Sequence, residues 1–91
     1  MEFKDIEFKY TNVPKGIQAI LPFGKYELSI IKNESSYGFH QGLYEIAVFD
    51  GYDQCELPGI TEEGDTIRGF LSEQEVMGII QKMSLISGEM K

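Results

Sequence analysis

The sequence LSEQEVMGIIQKMSLISG, from Leu71 to Gly88, carries the clearest structural signal of the chain. Ser72 and Glu75 have the spacing of a capping box, in which a serine hydroxyl and a glutamate carboxylate bond to free amides at a helix N-terminus. Gly88 suits the C-terminal cap, where the backbone is left-handed. The apolar residues between these caps recur at helical spacing: Val76, Ile79, Ile80, Met83 and Ile86. The pattern predicts an amphipathic helix over about residues 73–87.

The residues before this helix have the shorter period of β-strands. Four strands are predicted, over residues 3–10, 26–32, 43–49 and 52–57. Asp50-Gly51 is a two-residue hairpin signal, and the apolar run at 43–49 indicates a central strand buried on both faces. Residues 17–21 fit a helix or a strand. We therefore predict a single α+β domain, residues 1–91, in which an antiparallel sheet of about four strands packs one face against the C-terminal helix.

The charge of the chain is unevenly distributed. Residues 1–45 carry five lysines and six acids, a net charge of −1, whereas residues 46–91 carry three basic residues and nine acids, a net charge of −6. Binding to nucleic-acid phosphates or to an anionic membrane requires a basic surface. We therefore expect no direct binding to nucleic acid or to a membrane.

The acids concentrate between residues 50 and 65, a stretch without lysine or arginine. Such a stretch either binds a basic partner, with salt-sensitive affinity, or forms a solvated surface that keeps the protein soluble. Both interpretations stay open at the level of sequence. The candidate partner-binding residues here are Asp50, Asp53, Glu56, Glu62, Glu63 and Asp65.

A second candidate surface is the predicted loop from Asn33 to Gly42, which is rich in asparagine, serine and glycine. It contains Tyr37, Phe39 and the one histidine of the chain, His40. Exposed aromatic side chains on loops are common anchors for protein partners. The alternative is that both aromatic rings fold back to cover the edge of the sheet.

The sequence offers few groups for chemistry. One cysteine and one histidine cannot build a zinc cluster within one chain, and the acids after Asp50 lack the spacing of a calcium loop. Nucleophilic catalysis requires Cys55 and His40 in hydrogen-bond contact, whereas a cysteine in a predicted strand is more typical of a small buried hydrophobe. We predict no metal, no cofactor and no enzymatic activity; a small enzyme that uses these two residues is an alternative.

Two further features bear on location and assembly. No apolar stretch approaches the roughly 18 residues of a membrane-spanning helix, and the first residues lack the apolar core of a signal peptide; both favour a cytoplasmic protein. On the predicted helix, Met77, Met83 and Met90 together with Gly78 are consistent with a homodimer surface. The alternative places Met83 in the core, Met90 in a frayed tail and Gly78 on the outer face.

Four segments follow one another along the chain: YELSII at 26–31, SYG at 36–38, GLYEIAV at 42–48 and IRGFLSEQEV at 67–76. This order resembles a group of small, uncharacterised accessory proteins of tailed bacteriophages, over about residues 24–86. The chain departs from that group in its N-terminal segment and at Phe39-His40-Gln41, where small residues are more usual. The resemblance implies a phage protein expressed in the cytoplasm of a bacterial host, and it supplies no catalytic residues.

These observations predict a non-enzymatic phage accessory protein that binds and modulates a bacterial host protein. The charge suggests a sharper version, an acidic inhibitor of a nucleic-acid-binding or defence protein. The alternative is a self-associating structural or assembly protein with no host target.

Overall fold

The computed structural model describes residues 1–88 as an α+β fold, an antiparallel sheet of six strands with one α-helix packed against it. Met90, part of the predicted dimer surface, lies outside the described residues. No helix within residues 1–88 has the length and apolar character to cross a membrane. The strands are β1 (Lys9–Asn12), β2 (Lys15–Phe23), β3 (Tyr26–Asn33), β4 (Tyr44–Asp50), β5 (Asp53–Cys55) and β6 (Ile67–Leu71); the helix is α1 (Glu73–Ser87), and short 3-10 helices cover Phe3–Asp5 and Phe39–Gln41.

The sheet follows the chain from β1 to β5, and each neighbouring pair is antiparallel. β6 also pairs with β4, on the edge that β5 occupies: β5 lies opposite Val48–Asp50 and β6 opposite Tyr44–Ala47. The prediction of about four strands is too low, because residues 17–21 belong to β2 and because β6 was not anticipated. β6 is short and contains Gly69, so its alternation is weak as a sequence signal.

The helix is as predicted, at Glu73–Ser87. The Glu75 amide donates to Ser72 Oγ at 3.1 Å, and the Ser72 amide donates to Glu75 Oε1 at 2.9 Å, which completes the capping box. Gly88 closes the helix with φ of 77°. The buried residues of the helix are Val76, Ile79, Ile80 and Met83, whereas Ile86 is 46% exposed to solvent. The predicted apolar stripe therefore ends one turn early, at Met83.

The core lies between α1 and one face of the sheet. β3 and β4 contribute the fully buried side chains of Leu28, Ile30, Ile46 and Val48. The helix contributes those of Val76 and Met83. Burial of this kind stabilises the fold by roughly 1.5–3 kcal/mol for each large apolar side chain. Ile60 reaches the same cluster from the loop between β5 and β6 and is also fully buried.

The predicted strand over residues 3–10 is wrong for most of its length. The Glu2 amide donates to Asp5 Oδ2 at 2.8 Å, and the Asp5 amide donates to the Glu2 carbonyl at 2.9 Å, so residues 3–5 form a 3-10 turn. The apolar alternation instead serves packing, since the rings of Phe3 and Phe8 both lie against Tyr44. The same period-two pattern thus arises from an irregular segment that covers the sheet.

Three further predictions about the strands require correction. β4 is central, but its burial alternates: Ile46 and Val48 are buried, while Ala47 and Phe49 on the other face are half-buried. The hairpin after β4 exists, but Asp50 pairs with Asp53, so its turn residues are Gly51 and Tyr52 and not Asp50-Gly51. Gly51 has φ of 65°, as the first position of a type II′ turn requires. The strand that follows ends at Cys55, two residues before the predicted end.

Candidate protein-binding surface

One face of the sheet is not covered by the helix, and we call it the open face. Its centre is Ala47, which pairs with Ser29 on β3 and with Ile67 on β6. Because alanine and serine are small and the surrounding Ile31, Phe49 and Ile67 are large, the centre forms a hollow of about 340 Å³. The tip of the β1–β2 hairpin, at Val13-Pro14, also lines this hollow.

The floor of the hollow carries polar groups that already have partners. Ser29 is only 6% exposed, and its Oγ accepts a hydrogen bond from Gln18 Nε2 at 3.1 Å. Gln54 Nε2 donates to Thr66 Oγ1 at 2.7 Å at the opposite edge. The hollow is therefore lined by apolar and polar side chains in similar numbers, a mixed composition typical of protein–protein contact surfaces.

Two exposed aromatic side chains stand beside the open face. Tyr37 is 56% exposed and Phe70 is 55% exposed, and their ring centroids are 6.1 Å apart. We call this pair the aromatic platform. The Phe70 amide donates to the Tyr37 carbonyl at 3.3 Å, and the Tyr37 amide donates to Glu45 Oε1 at 2.9 Å. Since Glu45 also lines the hollow, the platform and the hollow form one continuous surface.

The platform is built on a β-bulge in β6. Tyr44 pairs with Leu71 and Ile46 pairs with Arg68, so two residues of β6, Gly69 and Phe70, lie opposite the single residue Glu45. At the bulge Phe70 has φ of 58°, the one positive φ among the described non-glycine residues. A left-handed conformation costs an L-residue about 1–2 kcal/mol. The fold therefore holds Phe70 in a strained conformation while leaving more than half of its side chain in solvent.

Two glycines allow the loop to approach the bulge closely. A Cβ atom at Gly69 would lie 2.4 Å from Tyr37 Cβ, and a Cβ atom at Gly38 would lie 2.9 Å from Leu43 Cβ and 3.1 Å from Phe70 Cα. No side chain fits at either position without movement of the loop or of β6. The position of Tyr37 on β6 is thus set by steric fit as well as by its two hydrogen bonds.

The structure separates the aromatic residues that the sequence grouped together. Tyr37 lies on the platform, but Phe39 lines another concave surface with Tyr10 and Lys32. The exposed His40 contacts the ring of Phe39, with centroids 5.5 Å apart. Of the three predicted loop residues, only Tyr37 therefore belongs to the candidate surface. Its ring packs beside the edge strand, as the alternative interpretation expects, yet stays largely exposed.

Most of the acids between residues 50 and 65 have structural partners. Glu56 Oε2 accepts from the Gly64 amide at 2.6 Å, and Asp65 Oδ1 accepts from the Thr66 amide at 2.6 Å. Asp50 is 3.5 Å from Lys25 Nζ. Tyr26 first and Asp50 second raise the pKa of Lys25.

Glu62 lies 3.5 Å from Arg68 Nε. Arg68 Nη2 also donates to the Thr61 carbonyl at 3.2 Å, which ties the acidic segment to β6. Asp53 and Glu63 have no such hydrogen bond or ion pair within residues 1–88. The acidic segment consequently consists of the β4–β5 hairpin and the loop that follows β5, which we call together the acidic loop, with those two carboxylates as its free charges.

Sequence reasoning missed the second half of the platform. Phe70 was not a candidate, and its left-handed backbone has no sequence signature. Gly69 within an otherwise apolar segment was the available signal, since an isolated glycine in a strand often marks a bulge or a close backbone approach. Gly69 and Phe70 can be read from the sequence, but their contact with Tyr37 cannot.

The residues considered for catalysis lie apart. Cys55 pairs with Val48 near the end of β4, whereas His40 precedes the start of β4 at Tyr44. Tyr44 and Val48 are four residues apart in an extended strand, a distance of roughly 13 Å. Burial first, and the charge of Asp50 second, raise the pKa of the Cys55 thiol, the opposite of what activates a nucleophilic cysteine. Within the described part of the chain, no three His, Cys, Asp or Glu residues are arranged to hold a metal ion.

Comparison with known proteins gives no family for this surface: no protein-family model, characterised protein or solved structure matches the chain. The function has therefore to be argued from the surface itself.

Proposed function

We propose that this chain is a non-enzymatic binding protein that holds a basic protein partner on the aromatic platform and the adjoining open face. The exposed platform at Tyr37 and Phe70 is the observation that carries the proposal. Exposed aromatic rings that are fixed in place lose little conformational entropy on binding, and such residues dominate the energetics of many interfaces.

The backbone strain at Phe70 supports a binding role for this ring. A strained non-glycine residue costs of order 1–3 kcal/mol and tends to occur where function requires it. Glycine at position 70 would relieve the strain but would remove one of the two exposed rings. A ring that stabilises the monomer mainly through burial would not be left 55% exposed.

The charge of the chain supports a basic partner. The net charge is −7, and Glu45 lies directly between the platform and the hollow. An arginine of the partner can stack on Tyr37 or Phe70 and reach the Glu45 carboxylate, since guanidinium groups bind both aromatic faces and carboxylates. The ordered acidic loop, with Asp53 and Glu63 free, adds long-range attraction.

The resemblance of the sequence to phage accessory proteins supports a bacterial partner whose activity is altered by binding. Under that proposal the protein acts in the cytoplasm of the host. The version in which it is an acidic inhibitor of a nucleic-acid-binding or defence protein rests on the same charge. The separation of Cys55 from His40 and the raised pKa of the thiol favour binding over catalysis.

The proposal is tested by affinity capture from bacterial lysate with the wild-type chain and three variants, followed by titration of any captured protein. Tyr37→Ala and Phe70→Ala should each weaken the complex about 20- to 30-fold, because truncation of an interface anchor costs about 2 kcal/mol. Tyr52→Ala is the matched control, since Tyr52 is a fully exposed aromatic on the β4–β5 turn.

Salt provides the second readout. Raising the ionic strength should weaken a complex that depends on opposite charges. A captured protein that binds the Tyr37→Ala, Phe70→Ala and Tyr52→Ala variants equally well would refute the role of the platform. Binding that is insensitive to salt would refute a basic partner.

A further inference from the structure

A second concave surface lies between α1 and the outer part of β2, away from the open face. We call it the helix groove; it has a volume of about 810 Å³. Its lining includes Leu21 and Pro22 from β2 and Met77, Gly78, Gln81 and Ser84 from α1. No ionisable side chain lines it, although a quarter of the residues of the chain are charged.

The outward face of α1 is also free of charge. Gln74, Gly78, Gln81 and Leu85 follow one another at spacings of four, three and four residues, so they form one stripe along the helix. This stripe lies opposite the buried residues Val76, Ile80 and Met83. The solvent face of an amphipathic helix normally carries charged residues, whereas here Leu85 is 62% exposed.

The acidic segment lies on the other flank of the helix. Lys82 Nζ donates to the Gly59 carbonyl at 3.4 Å, which places that flank beside the acidic loop. At 3.6 residues per turn, Met77 and Ser84 project from the opposite flank, toward the groove. A contact made through the groove and the outward stripe therefore keeps the acidic loop away from the interface.

The adjacent edge of the sheet does not favour strand addition. β1 pairs with β2 only as far as Gln18, so residues 19–23 of β2 have no strand partner on that edge within the described chain. Pro22 occupies this free edge and lacks the amide that a paired strand would use. A partner at this side of the molecule has to bind the helix and the groove.

We propose that this surface binds a second copy of the chain, with the two α1 helices packed antiparallel across a two-fold axis near Gly78 and Gln81. A two-fold contact places the same surface patch on both sides of the interface, so a like-charged patch would repel its copy, and a protein of charge −7 requires a patch without acidic side chains. Glutamine suits this geometry because its amide both donates and accepts hydrogen bonds and can pair with another glutamine. Gly78 has open space above it and permits a close approach of the helix backbones.

Sedimentation equilibrium over a range of concentrations tests the proposal with the wild-type chain and three variants. The wild-type chain should reach twice its 10.3 kDa mass. Gln81→Glu brings two carboxylates together and should raise the dimer dissociation constant about tenfold or more. Gln41→Glu adds the same charge at an exposed position outside α1 and outside the groove lining and should leave the constant unchanged.

Gly78→Ala separates the dimer contact from the fold. Alanine favours the helix over glycine, and its Cβ meets no atom of the same chain, so the isolated chain should resist denaturant better. The same Cβ should weaken the dimer by holding the helices apart. A wild-type chain that sediments at 10.3 kDa at every concentration would overturn the proposal. A dimer that Gln81→Glu and Gly78→Ala leave unaffected would place the interface elsewhere and would overturn it equally.

Discussion

The left-handed conformation of Phe70 makes a measurable prediction about glycine and alanine at that position. We expect Phe70→Gly to be more stable than Phe70→Ala, the reverse of the usual order within a strand. Both variants remove the ring and its packing on Tyr37, so these losses cancel in the comparison. What remains is the backbone preference at φ of 58°.

The size of the difference follows from two opposing terms. Alanine in the left-handed region costs about 1–2 kcal/mol, and glycine costs about 0.5–1 kcal/mol through its greater freedom in the unfolded chain. Glycine should therefore be ahead by roughly 0.5–1 kcal/mol. Ile20 is the matched control, because it is 54% exposed in a strand and has no positive φ; there alanine should be ahead by about 0.5–1 kcal/mol.

The assay is denaturant and thermal unfolding of the four variants, Phe70→Gly, Phe70→Ala, Ile20→Gly and Ile20→Ala. The double difference removes the intrinsic glycine term and measures the strain, about 1–2 kcal/mol. For a domain of this size, 1 kcal/mol corresponds to about 4–8 °C in Tm. If the double difference is zero, so that alanine is ahead of glycine by the same amount at positions 70 and 20, the bulge is not strained and the argument from strain to function fails.

Four further predictions concern other parts of the fold. Gly16→Ala should destabilise the chain by about 1–3 kcal/mol, because its Cβ would lie 2.3 Å from a backbone oxygen of β3; Gly78→Ala, measured by the same urea unfolding, should not. Ser72→Ala should cost about 1 kcal/mol in urea unfolding through loss of the helix cap. Hydrogen bonds first to the Ser72 amide and then to its hydroxyl lower the pKa of Glu75 below its ordinary 4.5. The stability that this carboxylate contributes is therefore present above pH 4.5 and is lost as the pH falls through the lowered pKa. Glu75→Gln should flatten that loss in unfolding measured between about pH 6 and pH 3. The raised pKa of Cys55 predicts that alkylation by iodoacetamide rises at higher pH in the folded chain than in urea, and equal profiles would contradict it.

The sequence predicted the helix and the strands with local signals best. The capping box and the apolar stripe are completed within α1 itself, so the predicted bounds match Glu73–Ser87. β3 likewise matches closely, because its alternation is the pattern of a half-buried strand. The strand prediction for the N-terminal segment was wrong because alternation alone does not distinguish a strand from an irregular segment with packed aromatic rings.

The candidate surface was predictable only in part. Tyr37 was identified from loop composition, but Phe39 lies with Tyr10 and Lys32 on a different surface, and His40 contacts the ring of Phe39. Four of the six acids between residues 50 and 65 hold their own loop or pair with a nearby base. Charge patterns in a sequence do not separate a solvated acid from one that bonds to its own backbone.

By itself the sequence determined the fold class, the helix and its caps, and the acidic character of the C-terminal half. These properties depend on neighbours within a few residues or on composition, so they can be predicted without knowledge of the tertiary structure. Only the tertiary structure decided which face of the sheet stays open, that Phe70 meets Tyr37, and that no ionisable side chain lines the groove beside α1. Those properties arise when strands distant in sequence pair in one register, because register fixes which side chains share a face.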